Sequence, residues 1–266
     1  MAHNTLIGGT IGKITEGKDL IGGTAYSRKY GKPLVGGTTY KIGLGGGGGT
    51  VGNLTVGNLA VGSSVYVKRA GVSIEFIVVH QGLPDANLYD ASCDGTWLLM
   101  KNILSTSQIW DSTDNDYANS DVKKMLDSEY IYFDIYSSIK QVKLPYQKGT
   151  GSGGSVSSGA NGLSARLFLL SAQEVGSVGV TSNAPIDGTC LDYFKGGWTT
   201  LKAYYNGNLT DWYLRSPFTT NTASICKIYS SMGFISAHSC SIAGGLRYAF
   251  ILPKDMMYDE NFNVIP

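Results

Sequence analysis

The sequence predicts an α+β protein in which a glycine-rich β-repeat arm precedes a globular domain. Residues 1–64 hold 18 of the 36 glycines and repeat a Gly-Gly-Thr unit. After residue 65 the chain shows a series of apolar or alternating runs of strand length. Amphipathic helix patterns are few and short. We therefore expect an arm at 1–64, one domain at 65–253 with short strands and two or three short helices, and a tail at 254–266.

The composition excludes several classes of protein. Charged residues make up 15% of the chain and the net charge is +1, so there is no global electrostatic case for binding nucleic acid or an anionic membrane. No apolar run reaches the length of a membrane span, and the N-terminus has no signal-peptide pattern. We expect synthesis in the cytoplasm, no nucleic-acid partner and no membrane insertion.

The arm repeats every 14 residues, at 6–10, 20–24 and 34–38. Each repeat predicts two short strands around a Gly-Gly turn. Such a hairpin is too small to bury a core, so it needs neighbouring hairpins or other chains. Five consecutive glycines at 45–49 predict a flexible joint, and the Val-Gly-Asn-Leu rhythm of 51–62 predicts a narrow wound fibre. We therefore expect a homotrimer.

The domain begins with an apolar strand at 72–80 and a second at 96–100. A polar loop at 111–119 leads to Ser120, which is expected to cap a helix with Val122, Met125 and Leu126 on its buried face. The later elements are a helical or extended piece at 130–139, a strand at 141–144, a mobile Gly/Ser loop at 148–162, a strand at 165–170, a short Ser-capped helix at 171–175 and loops at 176–211.

Two arginine-bearing motifs enclose the stretch 211–253. We expect Trp212, Arg215 and Arg247 to form a structural frame, in which each guanidinium binds loop carbonyls or a carboxylate such as Asp211. The alternative is a pair of anion-binding arginines. Trp198 and Trp212 are expected to be core or rim aromatics, with sugar-stacking platforms as the alternative.

Between these motifs the segment 219–241 is rich in Thr, Ser, Asn and Tyr. These residue types also dominate antibody paratopes, because Tyr gives contact area at a low entropy cost while Ser and Asn adapt their hydrogen bonds. The segment is either a ligand-contacting surface or an ordinary polar loop. The candidate ligand-binding residues are Asn221, Thr222, Ser224, Tyr229, Ser230, Ser236, His238 and Ser239.

No catalytic residue, metal or cofactor is expected. The chain has three histidines and no nucleophile elbow or phosphate loop. The acidic loop at 111–121 fails the EF-hand pattern, because Asp116 stands where Gly is needed and Val122 where Glu is needed. Four cysteines lack zinc spacing, and Cys226 with Cys240 is the pair to examine for a bridge.

An ordered set of motifs resembles a domain family common in phages and prophages of Gram-positive and gut bacteria. The motifs are the strand end at 76–79, Tyr-Ala-Asn-Ser-Asp-Val at 117–122, the run 168–175, Trp-Tyr-Leu-Arg-Ser-Pro at 212–217 and Gly-Gly-Leu-Arg-Tyr-Ala-Phe at 244–250. Members of that family typically read Trp-Leu-Arg-Ser-Pro and Gly-Val-Arg-Pro-Ala-Phe. Tyr248 stands where they have Pro, so a backbone donor is restored there.

The resemblance implies a C-type-lectin-like fold, akin to the variable receptor-binding proteins of diversity-generating retroelements. The arm is similar to those of phage tail and baseplate proteins. The expected function is a phage tail fibre or tail-tip protein, located in the virion, that contacts other tail or baseplate proteins and a bacterial surface receptor, either glycan or protein. The alternative is a structural baseplate or decoration protein. A formylglycine-generating-type oxidase, which shares the fold and needs a cysteine pair, is a further alternative.

Overall fold

The structure is a computed structural model that describes residues 3–7, 10–14, 18–21, 24–27, 54–177 and 182–266. The chain forms two compact units, Met1–Asn53 and Leu54–Pro266. In the first unit β1 (His3–Ile7) pairs with β2 (Thr10–Ile14), and β3 (Lys18–Ile21) pairs with β4 (Thr24–Ser27), both antiparallel. The hairpins predicted for the first two repeats are thus confirmed. The third repeat, the five glycines and residues 51–53 lie outside the described residues.

The second unit is mixed α+β and consists mostly of sheet, as predicted. Its described residues contain one α-helix, α1 (Asp121–Glu129), and several 3-10 turns, where the sequence predicted two or three helices. Its strands are β5 (Ser64–Arg69), β6 (Val72–Gly82), β7 (Gly95–Met100), β8 (Ser105–Gln108), β9 (Val142–Leu144), β10 (Tyr146–Lys148), β11 (Ser155–Ser157), β12 (Leu163–Ala165), β13 (Tyr204–Tyr205), β14 (Asn208–Leu209), β15 (Trp212–Pro217), β16 (Ser224–Tyr229), β17 (Phe234–Ser239), β18 (Gly244–Leu246) and β19 (Ala249–Leu252).

A four-stranded antiparallel sheet with the order β19-β7-β6-β5 forms the centre of this unit. Every residue of β7 and β19 is buried. Leu98 and Phe250 pack into one hydrophobic cluster, while Trp97 and Ile251 pack into a second. Because both faces of the sheet are covered, these strands read as continuous apolar runs rather than as alternating ones.

A five-stranded sheet with the order β17-β16-β15-β18-β8 carries the stretch that the two arginine motifs enclose. Its pairs are antiparallel, except that β15 meets β18 in parallel at Trp212 and Gly245. β17 is the outermost strand of this sheet. Within the described part of the chain, the β16–β17 hairpin therefore has one paired and one unpaired edge.

Helix α1 has the predicted cap. The Ser120 hydroxyl accepts a hydrogen bond from the Lys123 backbone N–H at 3.2 Å. Val122 and Leu126 are fully buried, and Met125 packs partly against the same cluster. The cap and the apolar spacing together set where the helix starts and which side it buries.

The boundary between the units lies eleven residues before the expected one. Val56 and Leu59 are buried in the core, and the backbone N–H of Val56 donates to the Met256 carbonyl at 2.8 Å. Gly57 donates to the Lys254 carbonyl, at an approach so close that a Cβ on Gly57 would lie 2.6 Å from that oxygen. The fibre interpretation is wrong for 54–62, because this segment pairs with the C-terminal residues.

The C-terminal residues 254–266 belong to the same compact unit, although the sequence suggested a tail. Tyr258 and Val264 are buried in the core. The backbone of Tyr66 in β5 donates to the Phe262 carbonyl at 2.8 Å and accepts from Val264 at 2.9 Å. The last residues thus line the outer edge of the four-stranded sheet.

Three local predictions are corrected by the structure. The strand expected at 165–170 does not form: only Ala165 belongs to a strand, as the last residue of β12, and Phe168 makes an isolated bridge to Ala249. The helix expected at 171–175 is one turn, in which Ser171 and Glu174 cap each other reciprocally at 3.1 and 2.9 Å. The loop expected at 148–162 contains β11, which pairs with β10.

Candidate functional site

The β16–β17 hairpin contains most of the predicted ligand-binding residues. Its register pairs Ser224 with Ser239, Lys227 with Ser236 and Tyr229 with Phe234. Because side chains alternate along a strand, these residues divide between two faces. Cys226, Ile228 and Ile235 point into the core from one face.

The opposite face mixes rings with polar groups; Ile225 and Lys227 on it are buried, whereas Tyr229, Phe234, Ser236 and His238 are half-buried. We call its residues Lys227, Tyr229, Phe234, Ser236 and His238 the display face. The Tyr229 and Phe234 rings stack with centroids 5.6 Å apart, and the Lys227 ammonium lies 4.6 Å from the Tyr229 ring centroid. Three of the predicted residues therefore share one surface that is ordered by its own contacts.

Burial and the nearby Lys227 ammonium lower the pKa of His238, while a hydrogen bond to the Ile242 backbone and the charge of Asp211 act in the opposite direction. The Nε2 atom of His238 is buried and has no hydrogen-bond partner among the described residues, so the half-exposed part of this side chain offers ring area rather than a free nitrogen. Lys227 is held by Asp211, whose carboxylate oxygen lies 3.5 Å from the ammonium. The display face thus offers mainly neutral hydrogen-bonding groups and aromatic area.

The remaining candidates lie elsewhere. Asn221 and Thr222 are exposed in the β15–β16 loop, and Ser224 and Ser239 face each other at the end of the hairpin next to that loop. Ser230 is fully buried, and its hydroxyl donates to the Thr210 carbonyl at 2.6 Å. Ser230 is therefore corrected from a ligand contact to a residue that fixes the β16–β17 turn.

Asn115 is a site residue that the sequence analysis missed. It is fully buried, and its amide nitrogen donates to the carbonyls of Asn221 and Ser224 at 2.7 and 2.5 Å. Its oxygen accepts from the Gly151 backbone N–H at 2.8 Å. One side chain thus joins the 111–121 loop, the 149–154 turn and the exposed loop before β16.

Replacing Asn115 with Ala is expected to lower the free energy of unfolding by about 1–3 kcal/mol, because it leaves buried carbonyl and N–H groups without partners. Hydrogen exchange at the Gly151 amide should accelerate, and urea unfolding measures the loss. The matched control is Asn119→Ala in the same loop, where the side chain is exposed and a change within about 0.5 kcal/mol is expected. Equal effects of the two variants would contradict the role of Asn115.

Arg215 belongs to the structural frame. It is buried, and its two terminal nitrogens donate to the two oxygens of Glu174 at 2.6 and 2.7 Å. Its partner is thus Glu174 rather than Asp211, which binds Lys227 and the Ser230 N–H instead. Glu174 also accepts from the Tyr89 hydroxyl at 2.8 Å. The other acceptors of Arg215 are the carbonyls of Pro145, Leu169 and Asp187.

Asp187 lies beside this pair and is fully buried. The Ser216 hydroxyl donates to its carboxylate and lies 2.9 and 3.0 Å from the two oxygens. Burial raises the pKa of Asp187 to about 7, and the Arg215 charge offsets only part of this effect. The donors of Arg215 are already engaged by Glu174 and by backbone carbonyls, so the raised pKa agrees with the geometry.

Arg247, also buried, has a different environment. Its Nε donates to the Met100 carbonyl at 2.7 Å, and its guanidinium carbon lies 4.7 Å from the Trp212 ring centroid. Among the described residues its Nη1 has no hydrogen-bond partner, and no carboxylate pairs with it. Burial lowers the pKa of Arg247 to about 10. The Arg247 guanidinium therefore makes a cation–π contact with the Trp212 indole ring.

The oxidase alternative needs Cys226 and Cys240 to lie next to each other, and the structure places them apart. All four cysteines are free. Cys226 stands opposite Ala237, whereas the Cys240 N–H donates to the Ala223 carbonyl, so the two are three residues out of register, about 10 Å along the strand. Burial raises the pKa of both thiols.

In the acidic loop at 111–121, carboxylates accept hydrogen bonds from backbone N–H groups of the same loop. Asp111 accepts from the N–H groups of Thr113 and Asp121 at 2.7 and 3.0 Å. Among the described residues there is no group of three His, Cys, Asp or Glu side chains that could hold a metal. In the same part of the chain no helix has the length and apolarity to cross a membrane.

Fold and site together define an α+β domain whose edge hairpin is mounted on a buried hydrogen-bonded frame. The chain belongs to the family described as a domain of unknown function (DUF6273), which matches residues 94–254. The match includes the display face, Asn115 and both frame arginines. Neither a curated protein nor a solved structure shows a significant match.

Proposed function

We propose that this protein is a receptor-binding protein of a phage tail, with a C-type-lectin-like compact unit whose display face contacts a bacterial surface ligand. The arm would trimerise and attach to other tail or baseplate proteins. The phage setting is supported by the resemblance of the ordered motifs and of the Gly-Gly-Thr repeats.

The observation that carries the proposal is the arrangement of the β16–β17 hairpin. Its inward face is buried in the core, and Asn115 and Ser230 hold the segments at its two ends. Its outward face presents Tyr229, Ser236 and His238 together. A rigid support under neutral polar and aromatic groups lowers the ordering cost of binding.

Binding of the labelled, full-length protein to a panel of Gram-positive and gut bacteria tests the proposal. We expect saturable binding to some strains, competed by unlabelled protein, and no binding to derivatives of those strains selected for phage resistance. Binding to no strain, or unsaturable binding to all of them, would instead favour the structural virion component. A display face that contacts another virion protein would produce that result.

A further inference from the structure

The turn between β16 and β17 carries an apolar surface that the proposed function does not use. Met232 in the turn is 64% exposed and Trp198 is 51% exposed. Gly233, at φ +71°, lies directly against Trp198, where a Cβ would come within 2.9 Å of the Trp198 Cβ. We call Trp198, Lys202, Met232 and Gly233 the turn patch. It is continuous with the proposed receptor-binding hairpin.

The turn patch is held in place by buried hydrogen bonds. The Trp212 indole N–H donates to the Leu201 carbonyl at 2.8 Å, which anchors the segment bearing Trp198 and Lys202. The Ser230 hydroxyl donates to Thr210, and the Ser230 N–H donates to Asp211 at 2.9 Å, which anchors the turn. An exposed indole on a fixed support has little ordering entropy to lose on binding.

The charge of the turn patch is positive. The Lys202 ammonium lies 4.3 Å from the Trp198 ring centroid, and no carboxylate of the described residues forms an ion pair with it. The segment 196–210 contains no Asp or Glu, and the following Asp211 is engaged by Ser230 and Lys227. An exposed cation–π contact contributes only about 0.5–1 kcal/mol, so a ligand can draw the ammonium away from the ring.

The groups around the turn patch suit a carbohydrate. Thr199 and Ser231, the chain neighbours of Trp198 and Met232, are exposed, and their hydroxyls can both donate hydrogen bonds to sugar hydroxyls and accept them. We propose that the turn patch binds an acidic polysaccharide. The Trp198 indole packs on the C–H face of a sugar ring, and Lys202 pairs with a carboxylate or phosphate group. This inference rests on the proposed function, since it names the ligand class of the same hairpin.

Tryptophan fluorescence tests the proposal, because Trp97, Trp110 and Trp212 are fully buried and only Trp198 meets solvent. Polygalacturonate supplies carboxylates and phosphomannan supplies phosphates, while dextran and polyglutamate are the neutral and non-sugar comparisons. We expect a saturable fluorescence change with one or both acidic polysaccharides and none with dextran or polyglutamate. No change with either acidic polysaccharide, or an equal change with dextran or polyglutamate, would overturn the proposal.

Affinity electrophoresis in gels containing the bound polysaccharide tests the residues. Trp198→Ala is expected to abolish retardation and Lys202→Ala to weaken it about five-fold. Tyr136→Ala, which removes a ring with the same 51% exposure outside the turn patch, should leave retardation unchanged. Full retardation of folded Trp198→Ala would overturn the proposal.

The two proposals fail in different ways. If the protein binds cells saturably but neither acidic polysaccharide, the inference about the turn patch falls and the proposed function stands. If an acidic polysaccharide binds through Trp198 but no cell is bound, the receptor-binding function falls.

Discussion

Replacing Arg215 with Met is expected to lower the free energy of unfolding by about 3–5 kcal/mol, because the substitution leaves the buried Glu174 carboxylate without its cation. In a unit of this size such a loss lowers Tm by roughly 6–20 °C. The measurement is urea and thermal unfolding followed by circular dichroism.

Arg247→Met is the matched control, because both arginines are 1% exposed and the same atoms are removed. A much smaller loss, about 1 kcal/mol, is expected, since Arg247 has no carboxylate to leave behind and its burial is itself costly. Combining Arg215→Met with Glu174→Gln should recover part of the Arg215 loss. Equal losses in the two single variants, or no recovery in the double variant, would contradict the ion-pair account.

The contribution of Asp187 to the stability of the wild-type protein is expected to fall as the pH rises from about 4 to 7. Its pKa of about 7 in the folded state lies above its ordinary value of 3.8, so the folded state binds the extra proton in this range. The unfolding free energy therefore falls with increasing pH, by up to about 4 kcal/mol from this group. Below pH 4 the carboxyl is protonated in both states and its contribution is constant.

Asp187→Asn isolates this effect, because the amide oxygen still accepts from the Ser216 hydroxyl and does not titrate. The difference in unfolding free energy between the variant and the wild type should change with pH in favour of the variant, which should be the more stable at pH 8. Urea unfolding of both proteins at pH 4.5, 6, 7 and 8 measures the difference. A variant that is less stable than the wild type at pH 8 would mean that Arg215 stabilises the Asp187 carboxylate.

Local signals in the sequence account for part of the fold. The apolar runs predicted β6 and β7, and Ser120 with the spacing of Val122 and Leu126 predicted the helix, because capping and amphipathicity depend on residues within a few positions of each other. The first two glycine repeats likewise predicted their hairpins. The packing of 54–62 was missed. This segment pairs with residues about 200 positions later in the chain, and its Gly-Asn repeat gives no indication of that partner.

The candidate site shows the same limit. Side chains alternate between two faces along each strand of 224–239, but the sequence does not give the register between the strands. That register is what places Tyr229, Ser236 and His238 on one surface. Serine is common among ligand-contacting residues, yet the Ser230 hydroxyl donates its hydrogen bond to the Thr210 carbonyl. Asn115 lies more than 100 positions from the carbonyls it binds, and Glu174 lies 41 from Arg215. Such long-range partners have no signature in a single sequence.

Binding of display-face variants to a susceptible strain tests the central claim most directly. The triple variant Tyr229→Ala/Ser236→Ala/His238→Ala is compared with Tyr136→Ala/Ser137→Ala/Ser138→Ala, which removes one phenol ring and two serine hydroxyls outside the hairpin. We expect the first variant to bind at least about ten-fold more weakly than the wild type, and the second to bind as the wild type does, with both proteins folded by circular dichroism. Unchanged binding by the display-face variant would contradict the account.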